Sequence, residues 1–579
     1  MRWAWFALAL MAGCGEYGVS EPEGAPMEAL DSGWVIRGTE PANILLTNGS
    51  FAVWINTATL QFIGKPMRIF DGRLAAVSVN SPIPEVALMA GENRWSFDLR
   101  SGELVSFAKV GSRDQTARVI LDPDRPVIAF DVTGGPGPMS QTEAWEGRGT
   151  LAIPREGDGE PLFKFRLEKS RLLGVFAESD KDSLPASYAE VRSASEAFHA
   201  NFWKTDFEID GPAEDQLAIR TMLYYLRRGA TPKLPPFGAS NAKYRGARFW
   251  DAEAWMLPVL AVVDPEIARA ATRWRIDNLG EYVPWEAAVG GQDVTPKEFG
   301  NALHVAGWVA WWTNRAKLLG LATGADEKGV LDVVFTQFYK AASDSERGME
   351  IKGVESPDEG RLKDNDLVTN LLAKRAARLA ADHGIADGED LEWFNSIVIP
   401  KAADGLPAAY DNDLLKGYQQ AAALLALYPL DEEFGEGIAE KMFDRYAGLT
   451  SEVGPAMSES IHATIAARLG RDEAYQRWRK SWQTYTDDAM MFHERRNKED
   501  AYFMTGAAGC LQTVIYGFSG VHLKKEGIQD VASKSLGNGY QVAFRPNLPA
   551  KWKRLTLRNV FLGPHRATVH ITHSGVTIE

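Results

Sequence analysis

Phe163-Lys164-Phe165-Arg166-Leu167 alternates apolar and polar residues. A little further on, Tyr188-Ala189-Glu190-Val191-Arg192-Ser193-Ala194-Ser195-Glu196-Ala197-Phe198-His199-Ala200-Asn201-Phe202 brings apolar residues back every three or four positions. Strand side chains alternate faces whereas a helix repeats every 3.6 residues, so the chain changes from strand to helix around Pro185. Upstream, Ala52-Val53-Trp54-Ile55, Ala117-Arg118-Val119-Ile120-Leu121 and Val127-Ile128-Ala129-Phe130-Asp131-Val132 are short alternating runs. Asn48-Gly49 and Gly134-Gly135-Pro136-Gly137 punctuate them, and the pattern predicts an antiparallel β-sandwich over residues 33–184. Downstream, helical spacing continues through Gln216–Arg228, Ala254–Val263, Pro265–Leu279, Leu303–Leu319, Val330–Ala342, Asn365–Asp382, Leu414–Leu427, Phe434–Tyr446 and Met457–Leu469. Paired helices closed into an α/α toroid, with long Gly/Pro/Trp-rich loops lining one mouth, fit that series. Strand-like runs return at Leu555-Thr556-Leu557, Thr568-Val569-His570-Ile571 and Gly575-Val576-Thr577-Ile578. The fold class is therefore multidomain α+β: a sandwich to residue 184, a helical linker over 185–212, a helical domain over 213–520 and a small β-domain over 521–579.

The 579 residues carry 63 Lys+Arg against 77 Asp+Glu, a net charge of −14, with 45% hydrophobic and 24% charged residues. These are ordinary globular values and exclude a disordered, collagen-like or polytopic membrane chain. Nucleic acid is excluded as a partner, because no Lys/Arg block concentrates the positive charge that phosphates need. No Cys/His spacing resembles a metal site and no Gly-rich phosphate loop follows a strand, so no metal or cofactor is expected. The sequence leaves the oligomeric state open, a dimer included.

The chain has only two cysteines, Cys14 and Cys510. Arg2 and the apolar run Trp3 to Ala12 have the form of an export signal too short to span a bilayer. The run ends in Met11-Ala12-Gly13-Cys14, which resembles the lipobox of bacterial lipoproteins. By that resemblance residues 1–13 are a signal peptide and Cys14 is the lipidation site. Residues 14–32 are then a flexible tether, and the protein is exported and held on a bacterial membrane by its lipid anchor alone. The alternative is an ordinary secretory signal with an incidental cysteine. Cys510 has no intramolecular partner left and is expected as a small core residue.

Three helical-domain segments concentrate Trp and carboxylates: Tyr244 to Pro258, Tyr282 to Ala288 and Gly353 to Gly360. Indoles beside fixed carboxylates suit a sugar, whose apolar face packs on the ring while its hydroxyls donate to the acids. Each segment alone also reads as core tryptophan beside solvated acids; the three together favour a carbohydrate site.

These residues resemble glycoside hydrolase family 65, which contains maltose, trehalose and kojibiose phosphorylases, and most nearly its hydrolytic branch. The similarity is carried by Phe249-Trp250-Asp251-x-Glu253 with Met256-Leu257-Pro258, by Pro284-Trp285-Glu286, and by Pro357-Asp358-Glu359 ending in Val368-Thr369-Asn370. Phe544-Arg545-Pro546-x-Leu548-Pro549-x-x-Trp552 is similar to the family's closing β-domain. The resemblance implies a central (α/α)6 toroid and an inverting glycosidase acting on α-linked glucosides or a related disaccharide unit. Glu359 matches the general acid, and Glu494, ahead of Phe503-Met504-Thr505-Gly506, matches the general base of the hydrolytic branch; Glu499 and Asp500 compete for that place. Trp250, Asp251, Glu253, Trp285, Glu286, His304, Gln419 and Gln420 match sugar-binding positions.

The sequence departs from the family at three points. Gln419-Gln420-Ala421-Ala422 stands where the family has Lys-Gln-Ala-Asp, Ala247 replaces a His, and Gly360-Arg361 replaces Tyr-His. Losing the Lys and Asp removes charge-assisted bonds to the sugar, which leaves the identity of that sugar open. Two alternatives stand beside the hydrolase. One is a disaccharide phosphorylase, with Ser458, Ser460 and His462 near the phosphate. The other is a non-catalytic glycan-binding lipoprotein.

Overall fold

A computed structural model describes residues 33–58, 60, 63, 67–70, 73–77, 94–110, 113–133, 145–151, 162–168, 171–177, 187–299, 301–360, 362–527 and 531–579. The signal, the tether, Cys14, the turn at Gly134 to Gly137 and Arg361 lie outside the described residues.

Among the described residues, twelve strands between Val35 and Ala177 join in one hydrogen-bonded series with every pairing antiparallel. The series bends at Trp145–Leu151: Trp145 to Arg148 pair with Leu162–Glu168, while Gly149 to Leu151 pair with Arg73–Val77. A strand that serves both halves this way lets a long sheet fold over into two layers. The inward alternation of Ile44, Leu46 and Phe51 with Phe97, Leu104 and Val119 puts both halves on one core.

Tyr188–Phe202 is a helix with the bounds its spacing predicts. Ser187 caps it, its Oγ accepting from the Glu190 N–H at 3.2 Å, and Tyr188, Val191, Ser195, His199 and Phe202 form the buried stripe. The linker is not wholly helical. Asp206–Asp210 is a strand that pairs antiparallel with Arg554–Leu562, so the C-terminal sheet is completed from residues more than three hundred positions upstream.

Six segments of the helical region pack in a closed series: Ala252 to Val263, Leu303–Leu318, Leu367–Asp382, Ala422–Ala426, Ser458–Arg468 and Met504–Gln512. Each touches the next and the last returns to the first. Each also has an outer partner, among them Pro265–Asp277, Gly324–Ala341, Gly388–Asn395, Ile438–Tyr446 and Ala474–Gln483. Inner members such as Ser458–Arg468 are buried nearly all round, whereas outer ones such as Ala474–Gln483 bury a single stripe.

The fourth inner member corrects the sequence reading. Residues 414–427 are spaced like a helix but form only the 3-10 turn Ala422–Ala426. Leu415 and Gly417 adopt left-handed backbone (φ 53° and 110°), and the Gln419 and Gln420 N–H groups donate to the Asp358 carboxylate instead of to a helical ladder. Two short hairpins also lie between the expected helices Val330–Ala342 and Asn365–Asp382, Ala342–Ser345 with Gly348–Ile351 and Val354–Glu355 with Leu362–Lys363. The second carries Pro357-Asp358-Glu359 in its loop.

Among the described residues no helix is long and apolar enough to cross a membrane. Cys510 is fully buried and unpaired, its thiol against the Ser481 hydroxyl at 3.1 Å, and burial pushes it up to about 12.

Candidate active site

The first segment is fixed by a buried ion triad. Arg248 Nη2 and Arg275 Nε each donate to Glu253 Oε1 at 2.8 Å, and the Glu253 and Arg248 side chains have no solvent exposure. The two guanidiniums outweigh burial and hold the Glu253 carboxyl below its ordinary range. This corrects the sequence expectation: Glu253 is a strut of the turn and its oxygens are taken by arginine, leaving no carboxylate edge for a sugar hydroxyl. The strut sits two residues from Asp251, whose Oδ1 accepts from Thr505 Oγ1 at 2.7 Å. Burial, with Glu494 and Glu253 adding repulsion, pushes Asp251 up to about 7 against that hydrogen bond.

The second segment is tied to the first by the Arg248–Ala287 backbone pair, with N···O distances of 2.9 and 3.0 Å. Glu286 is buried and takes Arg245 Nη2 at 2.5 Å, and burial raises its carboxyl in spite of that cation. Trp285 is 8% exposed and Trp250 only 2%. Trp250 therefore backs the site from within, edge-on to Trp255 at 4.5 Å between centroids, and Trp285 is the more open wall. His304 is fully buried between them, 5.0 Å from the Trp250 ring and 6.3 Å from that of Trp285. Burial lowers it to about 3, so the imidazole is neutral, and neither ring nitrogen has a partner among the described residues.

The third segment presents Glu359. Asp358 Oδ1 accepts from the Gln419 N–H at 2.6 Å and the Gln420 N–H at 3.3 Å, and Glu355 Oε1 accepts from the Gly360 N–H at 2.5 Å. Between these anchors Glu359 adopts φ 56°, a left-handed conformation that a non-glycine residue keeps only when its surroundings impose it. Its Oε1 accepts from Gln420 Nε2 at 2.9 Å. Burial first, then the charges of Asp251, Glu355 and Glu494, push the carboxyl up to about 8. Gln420 is buried and its Oε1 has no partner among the described residues, whereas Gln419 has an exposed side chain.

Glu494 lies opposite in character. It is 2% exposed, its Oε1 accepts from Tyr244 Oη at 2.9 Å, and its Oε2 meets Lys243 Nζ at 2.5 Å. The connection doubles back through the His493–Ala501 bridge and the Glu494 N–H to Asp500 carbonyl bond of 3.0 Å. That fold turns Glu499 outward to solvent, and Asp500 is engaged by Asn241 at 3.2 Å and Lys243 at 2.7 Å. Of the three competing acids, Glu494 alone acts on Asp251, Glu359 and Tyr244 together.

The structure thus gathers Asp251, Glu359, Glu494 and Gln420, with Trp285 and His304 beside them, and takes Glu253 out. Sequence reasoning missed Lys243, Tyr244, Glu355, Asp358 and Thr505. Each stands in or next to a quoted segment, but their partners are distant in sequence. Ser460 and His462 spend their polar atoms locally: Ser460 Oγ donates to the Met457 carbonyl at 3.2 Å, and His462 sits between Glu459 at 3.1 Å and Thr450 at 3.3 Å. Among the described residues no group of three or more His, Cys, Asp or Glu is placed to hold a metal ion.

Residues 218–392 match the family description "Glycosyl hydrolase family 65 central catalytic domain". A kojibiose hydrolase of Mucilaginibacter mallensis is 28% identical over 442 residues, covering 69% of this chain and 61% of that protein. The protein-glucosylgalactosylhydroxylysine glucosidase of Danio rerio is 26% identical, covering 67% of this chain and 65% of its own length. The chain spans about three fifths of the length of the kojibiose hydrolases it matches (61% and 58%). A solved structure from the human microbiome assigned as a kojibiose phosphorylase superposes with a TM-score of 0.62 at 14% identity, over 95% of this chain and 88% of that one, a likeness of fold. Residues 218–392 are thus similar to the central catalytic domain of glycoside hydrolase family 65, and the relatives above are consistent with that family.

Proposed function

We propose that the protein is an inverting glycoside hydrolase that cleaves α-linked glucosides or a related disaccharide unit. The observation that carries this is the unequal electrostatics of two neighbouring carboxyls. Glu359, pushed up to about 8 by burial and the neighbouring acids, keeps a proton at neutral pH, while Glu494 is paired with an ammonium. The first suits a general acid and the second a general base. In the reaction a water oxygen attacks the anomeric carbon and gives a proton to Glu494. The glycosidic bond breaks as Glu359 protonates the departing oxygen, and the configuration inverts. Inversion needs room for that water, about 6.5–9.5 Å between the carboxyls. Asp251, Gln420, Glu286, Gln419 and His304 offer polar contacts to the sugar, with Trp285 as a wall and Trp250 behind it. The closed series of six inner segments with outer partners supports an (α/α)6 toroid whose loops carry these groups.

The relatives named kojibiose hydrolases and glucosidases favour hydrolysis, and so do the local bonds of Ser460 and His462, which leave them poorly disposed toward phosphate. We place the protein on a bacterial membrane, exported and anchored through Cys14, because Arg2, the apolar run and Met11-Ala12-Gly13-Cys14 have that form.

The test is a screen of α-linked disaccharides, kojibiose included, with and without inorganic phosphate, for wild type and Glu359→Gln. Free sugars released without phosphate by wild type alone are the expected result. A sugar 1-phosphate formed only with phosphate would establish phosphorolysis instead. Tight binding without turnover in both proteins would establish a glycan-binding protein.

A further inference from the structure

Glu359 and Glu494 face one another's charge and that of Asp251, so something must decide which of them keeps a proton. The turn Lys243–Gly246 supplies it. Tyr244 and Arg245 both adopt left-handed backbone (φ 57° and 55°) and Gly246 follows at φ 65°. Two non-glycine residues in that region are costly and persist only where neighbours over-determine them. Here the neighbours are Asn241, whose Oδ1 accepts from the Lys243 N–H at 2.8 Å, and the Arg245 and Ala247 N–H groups, which donate to the Ala242 and Tyr244 carbonyls at 3.0 and 2.8 Å. Asn241 also donates through Nδ2 to Asp500 Oδ1 at 3.2 Å, joining the turn to the strand-like stretch that carries Glu494.

The turn aims successive side chains at acids. Lys243 Nζ lies between Glu494 Oε2 at 2.5 Å and Asp500 Oδ2 at 2.7 Å, Tyr244 Oη donates to Glu494 Oε1 at 2.9 Å, and Arg245 holds Glu286. The other charged groups around Glu494 are Arg495, whose Nε stands 3.9 Å from Oε1, and the carboxyls of Asp251 and Glu359. Arg495 is 42% exposed on its side chain and therefore screened, whereas the Lys243 ammonium touches a carboxylate with 3% exposure.

We propose that Lys243 is a positioning residue that assigns the two catalytic roles, its ammonium fixed by Asp500 against Glu494 Oε2 so that Glu494 is the carboxylate turned to the attacking water and Glu359 the carboxyl left to the departing oxygen. The proposal rests on the hydrolase reading above. Tyr244 completes it by donating to the other oxygen, Oε1, while the ammonium stands against Oε2. An opposite charge at this range moves a carboxyl's titration by about one to three pH units.

The test compares wild type, Lys243→Met, Lys243→Arg and Asp500→Asn by the pH dependence of kcat/KM. Lys243→Met is expected to lose about ten- to a hundredfold in kcat and to move the acid limb about one pH unit or more upward. Lys243→Arg is expected to restore the limb, and Asp500→Asn to move it by less than Lys243→Met. A fall in rate with both limbs unmoved would overturn the proposal and leave Lys243 a structural residue. A second readout needs no turnover: titration of the ¹³C-labelled Glu494 carboxyl, identified by its loss in Glu494→Gln. It should occur at higher pH in Lys243→Met than in wild type, and coincident titrations would also overturn the proposal. Should Lys243→Met fail to fold, Asp500→Asn decides by the same two readouts. A wild type that hydrolyses nothing would fail the hydrolase reading alone, because the carboxyl titration still judges Lys243.

Discussion

Replacing Glu253 by Ala separates a strut from a sugar ligand. Its carboxylate has no exposure and is shared by Arg248, also unexposed, and Arg275, 5% exposed on its side chain. Removal leaves two guanidiniums without their anion in a closed interior. Breaking a buried pair from one side costs about 3–5 kcal/mol. If Glu253 instead bound a sugar hydroxyl, its loss would cost about 1.5–3 kcal/mol of binding, roughly ten- to 150-fold in kcat/KM, with little change in stability. The assay is denaturant unfolding followed by far-UV circular dichroism, compared as midpoints because a chain of several domains need not unfold in one step. It is run beside kcat/KM at a temperature where the variant remains folded. The account expects a clear fall in the midpoint for Glu253→Ala, a smaller one for Glu253→Gln, and kcat/KM of the folded protein changed by less than the stability. An unchanged midpoint with a tenfold or greater loss of kcat/KM would refute the strut and return Glu253 to the sugar.

Activity should fall as pH rises through about 8, where Glu359 loses its proton, and Glu359→Gln should lose about a hundred- to ten-thousandfold in rate across the profile. The same carboxyl gives a stability prediction. Its folded-state value lies above the ordinary 4.5, so the native state holds a proton the unfolded chain has released, and stability declines as pH rises from about 4.5 toward about 8. Glu359→Gln should therefore raise the thermal midpoint at pH 7–8 and leave it nearly unchanged at pH 4, as calorimetry would read. Glu494→Gln should lose activity to a similar degree, whereas Glu499→Gln, on an exposed side chain, should match wild type in kcat and KM. Cys510 should resist a thiol reagent in the folded protein and react fully in denaturant, because it is buried with its thiol pushed up to about 12.

The change from alternation to helical spacing near Pro185 was legible because local chemistry agreed with the fold. Tyr188–Phe202 has its cap, its stripe and its ends in its own residues. Residues 414–427 misled for the opposite reason. Leu414, Leu415, Tyr418, Leu424 and Leu425 have helical spacing, yet Asp358, some sixty residues away, captures two of the amides a helix would need. Asp206–Asp210 was unreadable as a strand because its partner lies beyond residue 553. The site divides the same way. Motif residues Asp251, Glu359 and Glu494 could be named from sequence. That Arg248 and Arg275 claim Glu253, and that Lys243 and Tyr244 reach Glu494 across some 250 positions, follows only from packing.

The central claim is that Glu359 and Glu494 act on opposite faces of one sugar. It is tested most directly by ¹H NMR of the first product during hydrolysis of an α-linked glucoside, before mutarotation. The account predicts that the β-anomer appears first and the α-anomer only later. An α-anomer formed first would contradict it.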